Sequence, residues 1–310
     1  MLEKAVKIAL LTIFLVSGVS SINAQKFKKK SKYMSVGPTV NAMNYFGELD
    51  AGQSFIATST QFTRWNLGCV LSKRVHPRVT ARTTLSWGRI QGDDSKSSTT
   101  QGLDVYRHAR HLNFRNDLFE FKVDGVVDLF QNRKGVEKRV KLTPYGFLGV
   151  AFLYHNPKGY FAPKDKWVSL QPLGTEGQYV KGSGVDPYSK FQVVVPFGIG
   201  VRYKVSVLWD VAFEIGWRKT FTDYLDDVGG TFTDKANFAP LSEAYYLSDP
   251  SIYYSDNPLG TYTSPEGHRY TKGFEEGYQR GGKGNDWYVV TGFHITYIFH
   301  PKLASPKFKG

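Results

Sequence analysis

Seven stretches of this chain alternate apolar and polar side chains at every second residue, and full charges stand among the polar ones. Period two is the repeat of a β-strand, not of a helix. In "VTARTTLSWG", Val79, Ala81, Thr83, Leu85 and Trp87 oppose Thr80, Arg82, Thr84, Ser86 and Gly88. "MSVGPTVNA", "TRWNLGCVL", the run from Phe119 to Leu129, "FQVVVPFGIGVRY", "VLWDVAFEIGWR" and "WYVVTGFHITYIF" follow the same scheme. An eighth stretch, "LTPYGFLGVAFLY", is apolar on both faces, and alternation assigns it no inward side.

Two all-β architectures accept such strands. A secreted sandwich buries the apolar faces in a core; an outer-membrane barrel turns them to lipid and keeps the charges inside. The composition suits either: 15% aromatic residues, 31 Gly and a mean hydropathy of −0.34. The connections discriminate. "SKRVHPR", "QNRKGVEKR" and "KVS" are short, whereas the stretches around 43–60, 89–111, 155–190 and 219–286 are long. Short turns on one side and long loops on the other are the outer-membrane plan, with the short turns and both ends of the barrel in the periplasm. The expected fold is therefore an all-β, antiparallel, up-and-down transmembrane barrel of about eight strands.

The N-terminal residues point to export. Lys4 and Lys7 precede the apolar run "IALLTIFLVSGV" and the small, polar "SSINA", the layout of a cleaved secretory signal. The expected division is a signal peptide over 1–24, a basic tail over 25–32, the barrel over 33–299 and a second basic tail over 300–310. The one cysteine, Cys69, excludes an internal disulfide, and its strand parity points it to lipid.

An eight-stranded barrel is filled by its own side chains. Arg64, Arg82, Lys122, Arg202 and Arg218 are expected inside, with Glu120, Asp210 and Glu214 as carboxylate partners, because an unpaired buried charge is costly. His294 shares that inward face. The net charge of +13 is unevenly spread. Basic residues dominate the short turns (Lys73, Arg74, Arg78; Arg133, Lys134, Lys138, Arg139) and the tails (Lys28, Lys29, Lys30, Lys307, Lys309). That rim would attract an acidic partner or anionic headgroups. An exported barrel meets no nucleic acid.

Acids concentrate in the outward loops: Glu48, Asp93, Asp94, Glu176, and the cluster Asp223, Asp226 and Asp227 in "FTDYLDDVGG". Three chemistries compete for that cluster. A rim hydrolase would pair Asp226 and Asp227 with His111 or His268. A hard cation would take oxygen ligands, but "DYLDDVGG" lacks the alternating spacing of a calcium loop. The structural reading prevails: the carboxylates cap turns and pin the loop to the barrel rim, with Gly229 and Gly230 supplying positive φ. No phosphate loop, serine triad or zinc spacing occurs, and no cofactor, metal or small-molecule substrate is expected.

The motifs "NYFGELD", "WGRIQGDD", "RHLNFRNDLFEF", "LQPLGTEGQ", "RKTFTDYLDDVGGTFTD" and "RGGKGNDWYVVTGF" stand at successive strand ends. Together they resemble the PorG-like outer-membrane barrels of the type IX secretion system. The resemblance covers nearly all of the mature chain, with a longer fourth outward loop here. It implies a non-enzymatic barrel, in contact with the lipid bilayer, that ties the periplasmic PorK–PorN ring to the outer membrane. The alternative function is a stand-alone structural or surface-binding barrel that uses its long loops.

Overall fold

The computed structural model describes residues 32–49, 60–98, 105–132, 135–253, 262–263, 269–270, 273–282 and 284–299. The expected signal peptide and, Lys32 apart, the tails, with Lys28, Lys29, Lys30, Lys307 and Lys309, lie outside these residues. So do Arg133, Lys134 and His268.

Eight long strands form the wall: β1 (Met34–Phe46), β2 (Arg64–Arg74), β3 (Val79–Asp93), β4 (Asn113–Asp128), β5 (Leu142–Tyr154), β8 (Phe191–Lys204), β9 (Trp209–Lys219) and β12 (Trp287–Phe299). Each pairs antiparallel with the next, and β12 closes on β1 with Met34 opposite Phe299 and Phe46 opposite Trp287. The sheet is a closed eight-stranded barrel, as the alternation predicts. Closure leaves no unpaired edge in the wall, the condition for a sheet in a bilayer. Two hairpins decorate the outer loops: β6 (Pro157–Phe161) with β7 (Lys166–Ser169), which extends β4, and the two-residue pair β10 (Tyr262–Thr263) and β11 (Arg269–Tyr270). Among the described residues no helix is long and apolar enough to cross a membrane.

The outward face is a band with marked edges. Rings of Trp65, Trp87, Phe119, Tyr154 and Phe191 follow one another from β2 to β8 at centroid separations of 4.6 to 6.3 Å. One step beyond Trp87 and Phe119, the next outward-facing pair is the ion pair Arg89–Asp117, at 2.7 Å. At the other edge Trp209, Tyr297 and Phe299 form the second belt. Between the belts Leu67, Leu71, Leu85, Phe121, Val123 and Phe152 are exposed, as is Cys69. From Phe119 to Leu129, just past the end of β4, the strand path is about 33 Å, or about 25 Å of height at a tilt of about 40°. That is the height of a lipid-facing band.

Inside, the charges are layered. Arg82 Nε and Nη2 donate to Asp124 at 2.8 and 2.7 Å, and its Nη1 crosses the barrel to Glu214. Lys122 Nζ lies 3.0 Å from Asp124, the Tyr145 hydroxyl donates to Glu214 at 2.8 Å, and His294 Nε2 lies 3.5 Å from Glu214. Above this layer Arg218 and the Tyr288 hydroxyl donate to Glu120 at 3.1 and 2.6 Å. Below it Asp128 holds both Arg74, at 2.5 Å, and Arg202. Towards the outer mouth the filling turns apolar, with Met43, Ile90, Phe114, Leu118, Leu153 and Leu225 in one cluster.

The double-apolar β5 now has its faces. Tyr145, Phe147, Ala151 and Leu153 point in; Leu142, Leu148, Phe152 and Tyr154 point out. Phe147 lies over the neighbouring strands β8 and β9, beside its register partner Gly198. A Cβ on Gly198 or Gly216 would stand 2.7 or 2.8 Å from its ring. Its ring also takes the Arg82 guanidinium at 4.9 Å and the Lys122 ammonium at 5.0 Å. An inward aromatic is therefore part of the charged layer and not an exception to it.

Three sequence expectations require correction. Arg64 heads β2 above the outer aromatic belt; it donates to Gln91 and to the carbonyls of Gln61 and Thr63, with no carboxylate among those contacts. Arg74 is 1% exposed because β2 continues through the expected turn, so this side chain keeps its inward parity. Arg139 is buried beside Asp210, at 2.5 Å, because the turn Val136–Lys138 tucks under the barrel and packs Val136 on Tyr33 and Ile298. Neither Arg74 nor Arg139 belongs to a docking rim.

The Val136 segment closes the periplasmic end. The interior cavity between Tyr33 and Arg82 measures about 40 Å³, room for two or three waters at most. Planar-bilayer recordings of the purified protein are expected to show no stable ohmic conductance; a sustained porin-like current would contradict this filling.

Candidate functional site

The outer mouth is sealed by carboxylates from loops that are far apart in sequence. "DYLDDVGG" leaves β9 and folds over the mouth, and "RGGKGNDW" returns beside it to enter β12. The two segments bond directly: Arg280 N donates to Gly230 O at 2.8 Å and Asp286 N to Thr222 O at 2.9 Å.

Arg280 is the hub. Its buried guanidinium donates to Glu176 Oε1 at 2.9 Å and to the Asp227 carbonyl at 2.5 Å, and lies 3.7 Å from Asp227 Oδ2. Glu176 accepts in addition from Gly229 N and Gly230 N at 3.0 and 3.1 Å. Asp227 accepts from the hydroxyls of Thr175 and Tyr188, the latter at 2.6 Å. The second outward loop joins through Arg110, which binds Asp94 at 2.9 and 3.0 Å and donates to the Arg280 carbonyl. The first joins through Glu48, which accepts from Gly282 N at 3.1 Å. All four outward connections thus meet at one guanidinium and its neighbours.

A second group of acids stands beside this hub. The Tyr45 hydroxyl lies 2.7 Å from Asp226 Oδ2 and 2.6 Å from Asp286 Oδ1. A phenol has one proton to donate. One of the two contacts is therefore made by a protonated carboxyl donating to the phenol oxygen. The remaining oxygens accept from Val228 N and Leu225 N at 2.9 and 2.8 Å. Burial, then the charges of Glu48 and of one another, holds Asp226 and Asp286 well above the usual carboxylate range. Burial raises Glu48 as well.

Glu48, Asp226 and Asp286 bring carboxylate oxygens within 4.8 Å of one another. Oxygen donors at that spacing suit a hard cation. A proton shared through Tyr45 accounts for the Asp226 and Asp286 contacts without an ion, whereas the buried Glu48 Oε2 has no hydrogen-bond partner among the described residues. Asp226 and Asp227 are closed to a substrate: they are 1% and 0% exposed, and the cavity beside Asp226 and Arg280 measures about 10 Å³.

The predicted acids thus divide. Glu48, Glu176, Asp226 and Asp227 converge at the mouth. Asp223 is half-buried beside them, pushed up to about 7 by burial and by the charges of Glu48 and Glu176. Asp93 only caps its own helical turn, accepting from Ser95 N at 3.1 Å, and pairs with Lys96 at 2.9 Å. Asp94 acts through Arg110. The expected positive φ at Gly229 and Gly230 is corrected: Asp227 takes the left-handed conformation, at φ 70°. The glycines instead permit close approach, since a Cβ on Gly281 would lie 2.7 Å from Gly229 N and one on Gly230 2.9 Å from Glu176. Alternation could not reveal Tyr45, Thr175, Tyr188, Arg280 or Asp286 as partners. The one available signal was "RGGKGNDWY", whose Arg and Asp stand just ahead of the last strand. Of the expected docking residues, Lys73, Arg78 and Lys138 are exposed.

Residues 7–255 match the family model described as "Domain of unknown function (DUF6089)", well over half of the chain. The chain belongs to that family. No curated protein matches it. Among solved structures similar to this DUF6089 member is the outer membrane protein OprG from Pseudomonas aeruginosa, at 9% identity and a TM-score of 0.38, covering 88% of this chain and 99% of that one. A major outer membrane protein from Thermus thermophilus gives 10% and 0.37, over 86% and 99%. Ail, the attachment invasion locus protein of Yersinia pestis, gives 7% and 0.34, over 88% and 100%.

The acids give the cap a pH dependence. A carboxyl raised in the folded state binds more protons folded than unfolded between its two pKa values, so stability falls as pH rises through that window. Burial pushes Asp227 up to about 6, and Asp223 stands at about 7. The window therefore runs from about 4, the ordinary aspartate value, to about 7. Limited proteolysis of the outward loops is expected to be slower at pH 5.5 than at pH 8 once protease activity is normalised, and Asp223→Asn is expected to flatten the difference. Arg280→Met leaves Glu176 and Asp227 unpaired and is expected to speed cleavage at both pH values while the barrel stays heat-modifiable on gels. Cleavage independent of pH and of Arg280 would refute this account of the cap.

Proposed function

We propose that this protein is a non-enzymatic anchor in the outer membrane. Its barrel is a closed post, and its short turns dock a periplasmic partner. The partner implied by the resemblance of its loop motifs is the PorK–PorN ring of the type IX secretion system.

One observation supports docking above all: the turns on the short-loop side expose apolar side chains beside basic ones. Val75, Phe130, Val140 and Val205 are 40 to 58% exposed at or beside turn tips. Lys73, Arg78 and Lys138 are exposed among them. A turn that only needs to be soluble has no use for phenylalanine. Apolar anchors within a charged rim are the make-up of a protein interface. The closed interior fits the same reading, because a barrel filled by ion pairs offers its surface and not its lumen.

The test is co-purification of the periplasmic ring with the barrel from detergent-solubilised outer membrane. Lys73→Glu with Lys138→Glu is expected to reduce recovery, and raised salt to weaken the wild-type contact by screening. Phe130→Ser is expected to reduce recovery at every salt concentration. Exposed turn charges contribute little to folding, so the barrel stays heat-modifiable. Full recovery with all these variants would move docking to the outward loops or the barrel wall.

A further inference from the structure

Among the described residues, the lipid-facing wall carries a groove. Elsewhere each outward position between the belts bears a side chain, but two diagonal neighbours on adjacent strands are glycines: Gly125 pairs with Leu148, and Gly146 pairs with Val127. A Cβ on Gly125 would meet nothing closer than 3.9 Å, and one on Gly146 nothing closer than 3.7 Å, so both open on unfilled space. Beside Gly146 the groove has a volume of about 640 Å³, with Val127, Leu129, Ile199, Phe213 and Ile215 among its walls. That is within the range of small-molecule sites, about 300–1,000 Å³.

Its course follows from the register. Arg78, at the periplasmic edge, lines one end beside Val127 and Leu129. From there the groove crosses β4, β5, β8 and β9. Phe213 faces Val201, and Ile215 faces Ile199 nearer the bilayer midplane. Strands tilted by about 40° are crossed in this way by anything that lies along the membrane normal. Arg78 itself is exposed, which leaves its guanidinium accessible from the groove.

We propose that this groove is a binding site for one anionic phospholipid of the periplasmic leaflet, with an acyl chain over Gly146 and the phosphate on Arg78. The charge complement decides the occupant. An acyl chain needs an apolar trough with a cation at headgroup depth. The trough supplies the first along Ile199, Phe213 and Ile215, and Arg78 supplies the second where the apolar band ends. A second protein in the membrane would need a broad face and would leave a buried guanidinium to be matched. Glycine at 146 is then a requirement of the ligand, because nothing in the wall itself fills the space a larger side chain would take.

The test uses the full chain in nanodiscs of equal phosphatidylglycerol and phosphatidylcholine, read by native mass spectrometry after release. Wild type is expected to retain one phosphatidylglycerol, preferred over phosphatidylcholine by about fivefold, the scale of one basic residue near an anionic surface. Gly146→Leu is expected to lose retention of both lipids, and Arg78→Gln to keep one lipid but lose the headgroup preference. Heat-modifiability on gels checks that Gly146→Leu still forms the barrel; if it does not, Arg78→Gln alone decides. Equal retention by wild type and Gly146→Leu, or an unchanged preference in Arg78→Gln, would overturn the proposal. So would a Gly146→Leu barrel that keeps its lipid but loses a co-purifying protein.

Discussion

Arg82 is held from two sides of a tube. Asp124, its register partner on β4, grips it in bidentate fashion, and Glu214 reaches it from β9 across the lumen. A guanidinium inside a membrane protein has no cheap alternative to such partners. The rest of the arrangement depends on that constraint. The wall must turn its apolar residues to lipid, so its inward residues are left to carry the polar half of the alternation. Those charges must neutralise one another within one barrel radius. Asp128 with Arg74 and Arg202, and Glu120 with Arg218, repeat the solution below and above.

Such a filling bears on what the molecule can do. The same pairs that make the polar interior tolerable also occupy it, and each end has its own closure: Val136 and Arg139 at the periplasmic side, the carboxylate cap outside. The cap is built differently from the plug. It sets one arginine against Glu176 and Asp227, and it settles Asp226 and Asp286 by a proton shared through Tyr45. Interior pairs are charge against charge, whereas half of the cap is charge avoided. That difference places the raised carboxyls at the outer loops.

Much of this was legible in the residues. Strict alternation in stretches such as "VLWDVAFEIGWR" can be satisfied by only one register, so the parity of Glu214 and Arg218 followed at once. Asp124 and Asp128 share the parity of Glu120 and hold Arg82, Arg74 and Arg202, yet the expected carboxylate partners were Glu120, Asp210 and Glu214 alone. Alternation failed where its premise failed. It could not assign β5, because Phe147 and Tyr145 belong inside among cations. It misplaced Arg74 and Arg139, because a basic turn motif looks the same whether its arginines point to water or fold under the barrel. Periodicity is blind to the cap: Tyr45, Glu176, Asp227 and Arg280 meet through loops whose sequence spacing carries no geometric information. The Gly-Gly pair was read for its conformational freedom when its use is close approach.

The central claim is that paired interior charges hold the closed barrel together. Unfolding by urea in lipid vesicles, followed by tryptophan fluorescence and gel mobility, measures it most directly on Arg82→Met and on the double change Arg82→Met, Glu214→Gln, which keeps the Lys122–Asp124 pair. The single variant leaves two buried carboxylates without their guanidinium and is predicted to lose about 3–5 kcal/mol, most of which the charge-balanced double variant regains. A single variant within about 1 kcal/mol of wild type, or a double variant no more stable than the single, would contradict the account.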